Sequence, residues 1–141
     1  MSHEYETTRS EQKTEVFKQF LLGLKSLGTC KREQCACIVC DSQLTRVFSI
    51  GYNGPPADID NDACTEEPKQ CGCVHAEANA LIKLGHIREA YMYCTTAPCI
   101  HCAGLIINSK KIKFVYWIHT YTDGRGLMAL QKAGILHDQL R

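Results

Sequence analysis

The sequence has no apolar run near the roughly 18 residues that span a bilayer, no internal repeat, and no stretch rich enough in Pro, Gly or Ser to mark a linker. It also lacks a charge imbalance: 16 basic against 15 acidic residues leave a formal net charge of +1. That balance gives no electrostatic reason to expect a polynucleotide or an anionic membrane as partner. Apolar residues, at 45%, and charged ones, at 22%, are neither scarce nor in excess. This excludes a disordered chain, a collagen-like fibre and a coiled coil. The opening MSHEYETTRS is polar, so no secretory signal is expected ahead of the fold and a cytoplasmic location follows. The chain of 141 residues suits a single domain, 1–141, that buries about two-thirds of the surface of its unfolded form.

Cysteine is what the chain has in excess: ten of 141 residues. In a reducing compartment such a pattern points to metal more than to disulfides. Cys35, Cys37 and Cys40 lie in an apolar stretch, Cys64, Cys71 and Cys73 in a polar one, and Cys99 and Cys102 form a C-x-x-C pair; Cys30 and Cys94 stand apart.

Apolar periodicity predicts a first helix over Glu11 to Leu27, with Val16, Phe17, Phe20, Leu21, Leu24 and Leu27 as its stripe. CACIVC (35–40) and TRVFSIG (45–51) read as a β-hairpin. A polar loop then runs from Tyr52 to Val74. From His75 onward, helices (His75 to Leu84, Cys99 to Asn108, Gly124 to Ala133) alternate with strands (Glu89 to Thr95, Lys113 to His119, and a short one from Ile135). That alternation argues for parallel strands with crossover helices added to the hairpin, an α/β class.

Two clusters carry chemistry: His75-Ala76-Glu77 and Pro98-Cys99-Ile100-His101-Cys102. Cysteines at i and i+3 project from one side of a helical turn, and a helix N-terminus favours thiolates. With His75 they make three ligands, leaving a tetrahedral zinc one open position for water, as catalytic sites do. Glu77, about 200° round a helix from His75, is badly placed to ligate the same ion and well placed to carry a proton from bound water. The plainer alternative is a structural His-Cys-Cys knot with a solvated Glu77. Structural zinc, however, usually has four protein ligands. His101 is expected on the outer face of its helix.

H-x-E followed by P-C-x-x-C is the signature of zinc nucleobase deaminases. Over about Gly28 to Leu136 the chain resembles the cytidine deaminase-like superfamily, and within it the deoxycytidylate (dCMP) deaminases. The resemblance is carried also by Cys30-Lys31-Arg32-Glu33-Gln34, Gly51-Tyr52-Asn53-Gly54, Asn79, Tyr121-x-Asp123, Gly126-Leu127, Leu130 and Ala133-Gly134-Ile135. It implies a three-layer fold with a central five-stranded mixed sheet, zinc-dependent conversion of dCMP to dUMP with Glu77 as general acid/base, and a symmetric homo-oligomer, a hexamer. It further implies that Asn53 hydrogen-bonds the sugar 3′-hydroxyl or base edge, that the Ala76 N–H meets O2 of cytosine, that Tyr121 borders base and sugar, and that Lys31 and Arg32 lie near the phosphate. Two solvated charges before a strand are the alternative for that last pair.

Some relatives carry a second, structural zinc, and the positions correspond here to Cys30, Cys64, Cys71 and Cys73, with Cys71-x-Cys73 spaced more tightly than usual. The loop that holds three of these has too few apolar residues to hold itself in place. Cys35-Ala36-Cys37 replaces the family's Val-Gly-Ala, and Cys35, Cys37, Cys40 and Cys94 are expected as buried free thiols within strands. The competing readings are a deaminase of a modified dCMP, dCTP, a nucleoside or a nucleic-acid base, and a zinc-stabilised binding module. A purely structural site would have no use for Glu77.

Overall fold

The computed structural model describes residues 2–65 and 71–141, with residues 2–7 as backbone only. The apolar CACIVC segment becomes β1 (Ala36–Cys40), every residue of it buried, as a strand covered on both faces must be. It pairs antiparallel with β2 (Val47–Tyr52) in the expected hairpin, Ile38 opposite Ile50. The later elements are α2 (Ala76–Ile82), β3 (Ala90–Thr96), α3 (Ile100–Ser109), β4 (Ile112–His119), α4 (Arg125–Lys132) and β5 (Leu136–Gln139), all preceded by α1 (Ser2–Lys25). The sheet order is β2-β1-β3-β4-β5, with β3, β4 and β5 parallel and β1 antiparallel to both its neighbours. This is the expected three-layer α/β arrangement. Cys37, Val39, Met92, Cys94, Val115 and Trp117 face one core, under α2, α3 and α4. Ile38, Cys40 and Tyr93 face the other, under Leu21 and Leu24 of α1. No helix among the described residues is long and apolar enough to cross a membrane.

The first helix starts at Ser2, well before Glu11, because nothing in the preceding segment stops a helix: it contains neither Gly nor Pro. Its expected apolar stripe is only partly used. Leu21 and Leu24 are buried and Phe17 packs beside them, whereas Val16 is 64% and Phe20 42% exposed. The cause is topological, since α1 packs chiefly on β1, β2 and β3 and meets the sheet along one narrow face. The last strand, set at Ile135 by sequence, starts at Leu136 and reaches Gln139. Of the loop expected over Tyr52 to Val74, residues 66–70 lie outside the described residues.

Cys37, Cys40 and Cys94 are fully buried strand thiols, Cys37 directly opposite Cys94. Cys35 departs from that expectation: it precedes β1 and is only half-buried. Asn53 fixes it there, its N–H donating to Cys35 O at 3.2 Å and its Oδ1 accepting from Cys35 N at 2.9 Å. Burial pushes the Cys35 thiol up to about 11 and the Cys40 thiol up to about 12. Brief alkylation of the native protein is therefore expected to spare Cys37, Cys40 and Cys94 and to reach Cys35 slowly. Fast labelling of the three strand cysteines, read by peptide mass spectrometry, would contradict this burial.

One close approach sets where the His75-Ala76-Glu77 segment meets the sheet. A Cβ on Gly51 would come within 2.1 Å of Ala76 O and 2.7 Å of Ala80 N, and Ser49 Oγ donates to Ala80 O at 2.9 Å beside it. Only glycine lets β2 lie this close to α2. Gly51→Ala should cost about 3 kcal/mol by overpacking, visible as a lower urea midpoint at unchanged slope; an unchanged midpoint would mean that α2 can slide.

Candidate active site

Both metal-ligand clusters sit where a strand or loop turns into a helix. His75 and Cys99 are not in the first helical turn, as the sequence suggests, but are the N-caps of α2 and α3, both with extended backbone. The i, i+3 spacing still works, because the Cys99 Sγ turns back to accept from Cys102 N at 3.5 Å. It brings the Cys99 and Cys102 sulfurs to 3.6 and 3.3 Å from His75 Nδ1, and all three ligand atoms lie within 4.8 Å of one another. A tetrahedral shell with bonds of about 2.1–2.3 Å has edges of roughly 3.4–3.8 Å, so these side chains suit one zinc ion. Because His75 lies outside the helix, helical pitch does not set its angle to Glu77.

Glu77, in the first turn of α2, is buried at 7% exposure beside Cys102. Burial raises its carboxyl pKa, and the contact with Cys102 and the charge of His75 oppose that rise. Cys99 is held down to about 3 by its hydrogen bond from Cys102, with His75 adding to it, while Cys102 is pushed up as the partner that keeps the proton. The hydrogen bond with Cys99 raises His75. Three groups thus compete for protons that a bound cation would displace.

His75, Glu77 and Cys99 line a small open cleft at the carboxyl end of β3, where open α/β sheets place ligands. Arg32, Asn53, His75, Ala76, Glu77, Cys99 and Tyr121 line it, as expected from the sequence. Lys31 does not: the chain bends at Lys31-Arg32, and the Lys31 ammonium pairs with Asp62 at 3.6 Å. Asn53 is already engaged, with Nδ2 donating to Glu33 O at 2.7 Å and Oδ1 accepting from Cys35 N. The sequence reading missed Glu33, Cys35, Thr96 and Ala97 as wall residues. The position of Thr96 and Ala97 at a strand end just before Pro98 was the available signal.

A second cluster lies against the rim. The sulfurs of Cys30, Cys64, Cys71 and Cys73 all lie within 4.8 Å of one another, with Cys30 and Cys64 at 3.8 Å. The tight Cys71-x-Cys73 spacing does not prevent convergence. Lys31 N donates to Cys64 Sγ at 3.3 Å, which lowers the Cys64 thiol. The Arg32 guanidinium lies beside the Cys71 sulfur; burial works against its charge, and the neighbouring thiols and Glu33 more than offset the loss. The paired N–H groups of Gly54 and Val74 close the loop at its neck, each donating to the other's carbonyl. Four convergent sulfurs with N–H donors around them are the chemistry of a closed structural zinc shell.

Residues 10–118 match the family model described as the cytidine and deoxycytidylate deaminase zinc-binding region. The chain belongs to this family. It carries the deaminase zinc-binding region, and zinc is the metal that description names. The chain is 30% identical over 123 residues to the deoxycytidylate deaminase of Saccharomyces cerevisiae, covering 78% of this chain and 39% of that protein. It is 31% identical to the deoxycytidylate deaminase of Schizosaccharomyces pombe, covering 77% of this chain and 38% of the relative. It thus spans about two-fifths of the length of these two relatives. The deaminase fold is shared with the crystal structure of dCMP deaminase from the cyanophage S-TIM5 in apo form. That match has a TM-score of 0.75 and 25% identity, and covers 90% of this chain and 96% of the phage chain.

Proposed function

We propose that the protein deaminates dCMP to dUMP hydrolytically, as one domain over residues 1–141, with zinc held by His75, Cys99 and Cys102. The observation that carries this reading is the Glu77 carboxyl, buried beside Cys102 and lining the same cleft as His75 and Cys99, next to the three convergent ligands. A structural knot would not need a buried acid there. When bound, zinc acidifies water at neutral pH.

The chain's own residues do the rest. Glu77 accepts a proton from the water that attacks C4 of cytosine and passes it to N3; it then takes the proton of the new C4 hydroxyl and delivers it to the amine as the C4–N4 bond breaks, leaving the C4 carbonyl and ammonia. Burial, which favours its protonated form, suits it to hold that proton between steps. The Ala76 N–H, at the start of α2, is available to O2 of the base, and Tyr121 borders the ring. Asn53 orders the 33–35 segment and retains one amide hydrogen for the sugar. Arg32 takes the 5′-phosphate, with Lys31 withdrawn to Asp62.

Cys30, Cys64, Cys71 and Cys73 hold a second, structural zinc. Ten unpaired cysteines suit a reducing compartment, the cytoplasm. The exposed Val16 and Phe20 on α1, with Ile82 and Leu105 on the opposite layer, suit burial between copies, for which we take the hexamer. Sedimentation should then show an oligomer, and an active monomer would remove that assembly. The activity itself is tested by following dUMP and ammonia from dCMP with zinc-loaded protein, against deoxycytidine and dCTP. Turnover of dCMP above both is expected; preference for either of the others would replace dCMP as substrate.

A further inference from the structure

We propose that the Cys30/Cys64/Cys71/Cys73 centre positions Arg32 at the cleft, and that this coupling sets the preference for a nucleoside 5′-monophosphate over the bare nucleoside. The inference rests on the deaminase reading above. The segment is anchored at two successive residues, Cys30 by its own sulfur in the cluster and Lys31 by its N–H donating to Cys64 Sγ at 3.3 Å, and the next residue, Arg32, lies beside the Cys71 sulfur. Arg32 also lines the cleft, where it is the one arginine or lysine among the described lining residues. On the far side of the loop, Cys73 stands two residues before His75. The centre therefore holds both lips of the cleft.

Charge makes the arrangement necessary. Four thiolates around a divalent ion leave a double negative charge at the rim, and a nucleotide phosphate brings another. Without a cation between them the two repel. Arg32 stands between them, and its planar fork can meet sulfur and phosphate at once, which a lysine ammonium does less well. Arg32 is solvent-exposed, and a long exposed side chain loses rotamer freedom when it is held. The anchored backbone at Cys30-Lys31 and the contact with Cys71 restrict that freedom before substrate arrives, so less affinity is lost on binding.

The test uses zinc-loaded full-length protein. For Arg32→Ala, Arg32→Lys, Cys71→Ser and the double variant Arg32→Ala/Cys71→Ser, kcat/KM is measured on dCMP and on deoxycytidine, and dUMP binding by calorimetry. Cys71→Ser and Arg32→Ala should each lower the dCMP-to-deoxycytidine ratio by about tenfold or more and weaken dUMP by a similar factor. The double variant should be little worse than Arg32→Ala, and Arg32→Lys should recover only part of the ratio. An unchanged ratio and dUMP affinity in Cys71→Ser, or additive losses in the double variant, would overturn the coupling while leaving the deaminase reading intact. Wild-type protein inert on both substrates would instead strike the deaminase reading, and dUMP affinities would still decide the role of Arg32. Should Cys71→Ser fail to fold, cadmium-substituted protein gives a second readout. At saturating dUMP the cadmium–thiolate absorption should shift less in Arg32→Ala than in wild type, the catalytic thiolates contributing equally to both; equal shifts refute the coupling.

Discussion

Glu77→Gln should lower kcat for cytosine deamination by about 10²–10⁴-fold, the usual worth of a positioned general acid/base, while the protein keeps its zinc and its fold. Gln matches Glu in shape and can still hydrogen-bond, but it cannot carry the proton from water to N3 and on to ammonia. The ligand set does not need Glu77: His75, Cys99 and Cys102 already converge within 4.8 Å. Ammonia release and zinc content, measured on the same preparation, check this. Loss of zinc, or unfolding with activity, would mean that Glu77 serves the metal or the core. Glu77→Ala should lose as much activity and, by emptying a buried position, some stability as well.

Metal analysis of the unmutated protein should give two zinc ions per chain, and Cys64→Ser should give one. Cys64 is buried, 3.8 Å from Cys30, and receives the Lys31 N–H. Structural zinc contributes about 10–16 kcal/mol of apparent binding energy in small zinc-dependent domains. If even a third of that is linked to folding here, about 4 kcal/mol, the variant's Tm falls by roughly 12 °C. The loss should concentrate in the loop: proteolysis of Cys64→Ser is expected to start between Gly54 and Val74, whose paired N–H groups are its neck. One zinc in the unmutated chain, with an unchanged Tm in Cys64→Ser, would reduce the four sulfurs to unrelated thiols.

The catalytic centre was legible because its spacing is local. In Pro98-Cys99-x-x-Cys102 and His75-Ala76-Glu77 the helix start itself brings the donors round, and even the misplaced N-caps did not change which atoms meet. The hairpin and the α/β alternation were legible for the same reason, since period and turn residues act over a few positions. Element edges were not. The first helix ran on to Ser2 because no residue stops it, and its stripe stayed half exposed because what buries Val16 or Phe20 is not in the helix.

The amino-acid order alone determined the elements apart from their edges, and which donor side chains and which acid stand together at the two helix starts, all properties of neighbours in the chain. Tertiary structure decided what depends on distant segments meeting. Cys30 and Cys64, 34 residues apart, became one centre with Cys71 and Cys73. Asn53 clasped Cys35 out of the strand and beside the cleft. Of the Lys31-Arg32 pair, only Arg32 was turned to the cleft, while Lys31 went to Asp62. Two adjacent cations look alike in a sequence. The chain bends through both, and which of them faces the cleft is fixed only when the sheet, the loop and the two helix starts are assembled.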